Sequence, residues 1–177
     1  MRAAVIGAGA WGTAMARLLA LKGHDVRLWA FEEGVVAAVN AGHENPQFLP
    51  GAALPESVTA TPSHRDAVAE AGLVVYATPA QHLRAIAAAG ARHVWPGATL
   101  VVAAKGIERG SLALMSDVIE HEVPGHDVVA LSGPSFAAEV AAGLPTAVVA
   151  ASRNRDAART VQEAYSGAAF RVYTHDD

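Results

Sequence analysis

The sequence predicts an α/β domain with a doubly wound, mostly parallel sheet. Three observations lead there. Short apolar runs, several rich in valine, recur from end to end (residues 2–6, 25–29, 73–77, 99–103, 128–131, 146–151 and 170–173). Such runs are what strands buried on both faces require. Stretches with helix-start chemistry lie between them, and that alternation builds a parallel sheet with helices on both faces. The first run leads directly into a glycine-rich turn.

That turn is Gly7-Ala8-Gly9-Ala10-Trp11-Gly12, a G-x-G-x-x-G hexapeptide placed between Ala3-Ala4-Val5-Ile6 and a helical stretch over residues 13–22. Gly7 permits the tight turn, Gly9 lets the backbone approach a pyrophosphate, and Gly12 lets helix and strand pack closely. Unpaired amides at the helix start, aided by the helix dipole, then face phosphate oxygens. With a second strand at residues 25–29, this is the context of a Rossmann-type dinucleotide-binding unit rather than an isolated glycine turn. An acid at the end of that second strand would read the ribose of NAD, and an arginine would accommodate the 2′-phosphate of NADP. The chain reads Leu28-Trp29-Ala30-Phe31-Glu32-Glu33 without an arginine, which favours NAD over NADP. Glu32 and Glu33 equally suit the opening of the next helix.

Residues 42–62 break the rhythm, with four prolines and two glycines. A connection this long and irregular is expected to be functional or mobile. Ser63-His64-Arg65-Asp66 and Thr78-Pro79-Ala80-Gln81 both read as helix starts, the second as a capping box with proline at the first helical position. Lys105 closes the apolar run that begins at Thr99, and a lysine at a strand's carboxyl end stands where ligands bind in open α/β sheets. An ordinary surface lysine is the alternative. Ser132-Gly133-Pro134-Ser135-Phe136-Ala137 follows the next strand, as a helix cap or as a ligand contact.

Composition excludes other classes. The chain has 177 residues, 52% of them apolar and 17% charged, so it is one globular domain and not a disordered segment. A net charge of −4 leaves no basic stripe for nucleic acid. No apolar run is long enough to span a bilayer, and no cleavable signal pattern opens the chain. With no cysteine there are no disulfides or thiolate metal sites, and a cytoplasmic protein is expected. His43, His64 and His82 are scattered without metal-type spacing, so no metal is expected.

In combination, these motifs resemble the N-terminal, nucleotide-binding domain of NAD(P)-dependent glycerol-3-phosphate dehydrogenase. The resemblance runs through residues 7–12 with Trp11, residues 45–50, Thr78-Pro79-Ala80-Gln81, Lys105-Gly106-Ile107-Glu108, residues 131–137 followed by Glu139-Val140, and residues 143–152. It implies that Gly7, Gly9, Ala10, Trp11 and Gly12 hold the cofactor diphosphate, with Phe31 at the adenosine end and Phe48 along the cleft. Lys105 would contact nicotinamide and substrate, Gly133 and Ser135 the substrate, and Ala137 the cofactor. Phe31 departs from the Arg or His of many bacterial members, and the segment Trp29-Ala30-Phe31-Glu32-Glu33 resembles the eukaryotic NAD-type enzymes.

The implied reaction is reversible hydride transfer between NAD(H) and dihydroxyacetone phosphate or sn-glycerol 3-phosphate, feeding glycerophospholipid synthesis. The family's proton-transferring lysine belongs to a second, mostly helical domain outside this chain, so residues 1–177 are expected to bind NAD and to be inactive alone. Asp176 and Asp177 read as a connection into that domain. A small phosphorylated substrate, no nucleic acid, no membrane and a homodimer of the full-length enzyme are the expected partners. A stand-alone NAD sensor, or another small-substrate reductase with the same first domain, are the alternative readings.

Overall fold

A computed structural model describes residues 1–176. Its strands are β1 (Arg2–Ile6), β2 (Asp25–Trp29), β3 (Val58–Thr61), β4 (Leu73–Tyr76), β5 (Thr99–Val102), β6 (Val128–Ser132), β7 (Thr146–Ala151) and β8 (Phe170–His175). The helices are α1 (Ala10–Leu21), α2 (Glu33–Gly42), α3 (His64–Val68), α4 (Ala80–Gly90), α5 (Met115–Glu122), α6 (Ala137–Ala141) and α7 (Arg155–Tyr165). All eight strands form one sheet in the order β3-β2-β1-β4-β5-β6-β7-β8. β1 to β6 run parallel; β7 is antiparallel to β6, and β8 is parallel to β7. The order reverses direction between β1 and β4, and that switch point opens a crevice at the carboxyl ends of the strands.

Alternation along β1 divides the core into two layers. Ala3 and Val5 pack with Met15 and Leu19 of α1, Val35 and Val39 of α2, Val140 of α6 and Val161 of α7. Ala4 and Ile6 point the other way, into a layer with Leu83 and Ala87 of α4 and Val118 and Ile119 of α5. Each fully buried Val, Leu or Ile stabilises the fold by about 1.5–3 kcal/mol. The second layer contains no residue of β7 or β8, so one face of those strands stays open and their burial alternates, with Val149 and Tyr173 exposed.

The chain reverses direction after β6: α6 and its flanking turns bring β7 back beside β6 antiparallel, in register from Ala130↔Ala151 to Ser132↔Val149.

Several expectations are revised. Residues 42–62 are not one irregular connection: they hold β3, an edge strand that pairs with β2 from Val26↔Val58 to Trp29↔Thr61. Its four residues sit between Pro55 and Pro62 with only Val58 and Ala60 facing inward, too brief a pattern to read. Thr78 forms no capping box; α4 is preceded by Pro79 without a side-chain cap, and Gln81 turns elsewhere. Ser63 does cap α3, its hydroxyl accepting from the Asp66 amide at 3.2 Å. α1 begins at Ala10, three residues earlier than expected, because Gly9 is its N-cap. β5 stops at Val102, so Lys105 stands three residues beyond the strand. Asp176 accepts from Arg155 at 2.8 Å, while Asp177 lies outside the described residues.

Candidate dinucleotide-binding cleft

The glycine turn has the geometry its spacing implies. Gly7 has φ +115°, and a Cβ there would lie 2.9 Å from the Thr78 methyl and 3.0 Å from the Ala77 backbone. A Cβ on Gly12 would sit 1.8 Å from the Gly7 carbonyl oxygen, so α1 leaves the turn in contact with its own strand. Gly9 is the reverse case, with no atom within 4 Å of a Cβ position. It opens onto the cleft, and no described side chain caps the first turn of α1. The amides there keep their capacity for an anion.

A buried amide fixes this turn. Asn45, fully buried, donates to the Ala8 carbonyl and to the Thr13 hydroxyl, both at 2.8 Å, while its Oδ1 accepts from the Phe48 amide at 3.2 Å. The Thr13 hydroxyl donates in turn to the Ala8 carbonyl at 3.2 Å. Every hydrogen of the Asn45 amide is thus used, and the loop that follows α2 is seated against the turn. Phe48 is thereby placed in the cleft wall. Asn45 belonged to a recognised motif, but its role was not legible there; the signal was an Asn-Pro step able to close on an amide three residues ahead.

The cleft has a volume of about 960 Å³, within the range for pockets that enclose organic ligands. Gly7, Gly9, Ala10 and Trp11 form one wall, Phe48 borders it, and Phe31 and Glu32 stand at the β2 end. Phe31 is 80% exposed, an unusual position for a phenyl ring without a partner. In the same lining, the His64 ring stacks on Trp29 with centroids 4.3 Å apart and planes 19° apart. The Trp29 indole donates to the Pro62 carbonyl at 2.9 Å, which locks the stack to the chain after β3. Burial lowers the pKa of His64 from its ordinary value and favours the neutral ring. His82 also lines the cleft; His43 instead ends α2 in a left-handed conformation. The stack was not foreseen, since its two members are 35 residues apart in a chain read locally.

At the opposite end stand Lys105, Ser135, Phe136 and Ala137. The Lys105 ammonium donates to the Gly133 carbonyl at 2.9 Å, and the Ser135 hydroxyl donates to the same oxygen at 3.3 Å. The loops after β5 and β6 are thus tied at one atom. Of the residues expected at the site, Gly12 and Gly133 alone do not line the cleft. Both are close backbone approaches: a Cβ on Gly133 would meet the Ala147 carbonyl oxygen at 2.7 Å. The indole nitrogen of Trp11 is buried and has no hydrogen-bond partner among the described residues. Nor do those residues hold any cluster of three metal-ligating side chains, and no described helix is long and apolar enough to cross a membrane.

Comparison with known proteins agrees with this geometry. The family model described as NAD-dependent glycerol-3-phosphate dehydrogenase N-terminus matches residues 2–158. A glycerol-3-phosphate dehydrogenase [NAD(P)+] from Caulobacter vibrioides is 47% identical over 173 residues, covering 98% of this chain and 52% of the relative. One from Koribacter versatilis is 47% identical over 180 residues, covering 99% of this chain and 53% of the relative. The crystal structure of glycerol-3-phosphate dehydrogenase from Coxiella burnetii superposes with a TM-score of 0.93 at 34% identity, over 99% of this chain and 54% of that one. The chain spans about half the length of these relatives. With its glycine turn, mostly parallel sheet and 157 matched residues (2–158), the chain belongs to the N-terminal domain family of NAD-dependent glycerol-3-phosphate dehydrogenase, a family of oxidoreductases.

Proposed function

We propose that this chain is the dinucleotide-binding half of an oxidoreductase that interconverts dihydroxyacetone phosphate and sn-glycerol 3-phosphate at the expense of NAD(H). One observation carries the reading: the open approach at Gly9 and the Lys105 ammonium stand on the same cleft. The residues present fit the cofactor. The space at Gly9 admits a diphosphate against the first-turn amides, and the orphaned Trp11 indole N–H is a donor awaiting an acceptor. Just past the carboxyl end of β2, Glu32 and Phe31 line the cleft without an arginine, which favours a ribose with a free 2′-hydroxyl over a 2′-phosphate.

Bound nicotinamide supplies or accepts the hydride. Reduction of a ketone builds negative charge on its oxygen, and a positioned cation or donor lowers that barrier. Lys105 is the ammonium available in the cleft; the other lysine, Lys22, donates to the Ser166 carbonyl at 2.9 Å. Gly133 and Ser135 share an atom with Lys105 and are assigned to substrate orientation, Ala137 to the cofactor. Proton transfer is assigned to a lysine of a second domain, as the resemblance to the family implies. A homodimer, a cytoplasmic location and a supply of glycerol 3-phosphate to phospholipid synthesis belong to the same reading of the full-length enzyme.

Calorimetry with NADH and NADPH, alongside a turnover assay on dihydroxyacetone phosphate, tests this. The expected result is NADH binding, weaker NADPH binding and no turnover by this chain. A folded protein that binds neither dinucleotide would overturn the proposal.

A further inference from the structure

The loop that carries Lys105 is fastened to α4 by two side chains that do not line the cleft. The Gln81 amide donates to the Ile107 carbonyl at 2.9 Å, and its carbonyl accepts from the Arg109 amide at 2.9 Å. One side chain thus pairs with main-chain groups on both sides of Glu108. One turn along the helix, Arg84 grips the Glu108 carboxylate with two parallel N–H donors, each at 2.8 Å. A third donor of Arg84 reaches Glu122 of α5, and Ser111 closes on Glu108 from within the loop. Gly106 passes so close to α4 that a Cβ would lie 3.1 Å from the Ala80 methyl. The same helix presents His82, Ala85 and Ile86 to the cleft. Wall and lysine loop therefore share one rigid frame, and a bidentate guanidinium–carboxylate pair fixes direction as well as distance.

We propose that Gln81 and Arg84 are positioning residues for Lys105: by clamping Ile107, Glu108 and Arg109 to α4, they set where its ammonium stands in the cleft. Neither touches a ligand. The inference deepens the reading of Lys105 as a cleft cation and rests on it. Between the end of β5 at Val102 and the clamp at residue 107 only four residues intervene, so a loosened clamp lets Lys105 drift from the Gly133 carbonyl. Sites held about 1 Å too loosely lose function although every group is present.

The chain has only two lysines, Lys22 and Lys105, which makes the position of each ammonium readable. Reductive methylation with 13C-formaldehyde gives each lysine its own NMR signal, with Lys22 as internal reference. Gln81→Leu and Arg84→Met are expected to shift the Lys105 signal, to leave that of Lys22 in place, and to weaken NADH binding by about tenfold. Arg84→Lys, which keeps the charge but not the fork, falls between, and keeps the test available if Arg84→Met does not fold. Glu122→Gln removes an ion pair from the same arginine without freeing the loop, and leaves the Lys105 signal unmoved. An unmoved Lys105 signal in both Gln81→Leu and Arg84→Met, or an equal shift in Glu122→Gln, would overturn the inference. Lys105→Met tests the underlying reading separately: if it leaves NADH affinity unchanged, the role of Lys105 in the cleft falls, while the signal shifts still report whether the clamp holds its loop.

Discussion

The side-chain amide of Asn45 donates to the hydroxyl of Thr13 at 2.8 Å, joining a loop to the first helix across 32 residues of sequence. Both residues are fully buried, and the same amide also serves the carbonyl of Ala8 in the glycine turn. The consequence is that the phosphate-binding turn is held from outside its own hexapeptide.

Asn45→Ala is accordingly expected to lower stability by about 2 kcal/mol, since it strands buried polar partners in the turn. Urea denaturation measures this as a lower midpoint. NADH affinity should fall as well, because Phe48 and the turn lose their common anchor.

Two glycines of one turn should respond in opposite ways to alanine. Gly12→Ala forces a methyl to 1.8 Å from the Gly7 carbonyl oxygen, a backbone atom that has nowhere to go, so several kcal/mol or outright failure to fold is expected. Gly9→Ala meets nothing within 4 Å and has an ordinary extended φ of −65°. Its melting temperature should stay close to that of the parent while its NADH affinity drops about tenfold or more, a loss of ~1.4 kcal/mol or greater.

Acid sensitivity should trace to Glu108. Hydrogen bonds from Arg84, then Ser111, hold its carboxyl at about 2, below the ordinary 4.5. A carboxylate held down in the folded state stabilises the fold fully above the unfolded value, and that stability is lost as pH falls from about 4.5 towards 2. Urea midpoints measured at pH 6 and near pH 3 should therefore fall further for the parent than for Glu108→Gln. Equal falls would remove Glu108 as the source.

Tyr165 offers a stabilising change. It is buried against Phe170, its hydroxyl finds no partner among the described residues, and burial raises its pKa well above the ordinary value. Tyr165→Phe keeps the ring and removes the unsatisfied group. A gain of about 1 kcal/mol is expected by denaturant titration.

How far the sequence carried depended on which contacts are local. β1, β4 and β5 were legible because strands covered on both faces leave unbroken apolar runs. β3 lies at the sheet edge, where half of a four-residue strand faces outward, and it disappeared among prolines. Within the site, the glycine turn was readable from its spacing because Gly7 takes a positive φ and Gly12 packs on the Gly7 carbonyl five residues back, both local demands. Gln81 was misread for the converse reason. Its position suited a cap of its own helix, yet its amide is committed to Ile107 and Arg109, 26 and 28 residues away. The seating of Asn45 and the stacking of His64 on Trp29 likewise exist only once the sheet has assembled.

The distribution of tryptophan around the sheet has a practical result. Trp11 and Trp29 both border the cleft, whereas Trp95 lies in the turn leading into the amino end of β5 and does not line it. Indole emission overlaps the near-ultraviolet absorption of reduced nicotinamide, so two of the three fluorophores sit where a captured dinucleotide would drain their excitation. Replacing Trp95 with phenylalanine would strip the background and leave a protein whose own light reports occupancy of its crevice.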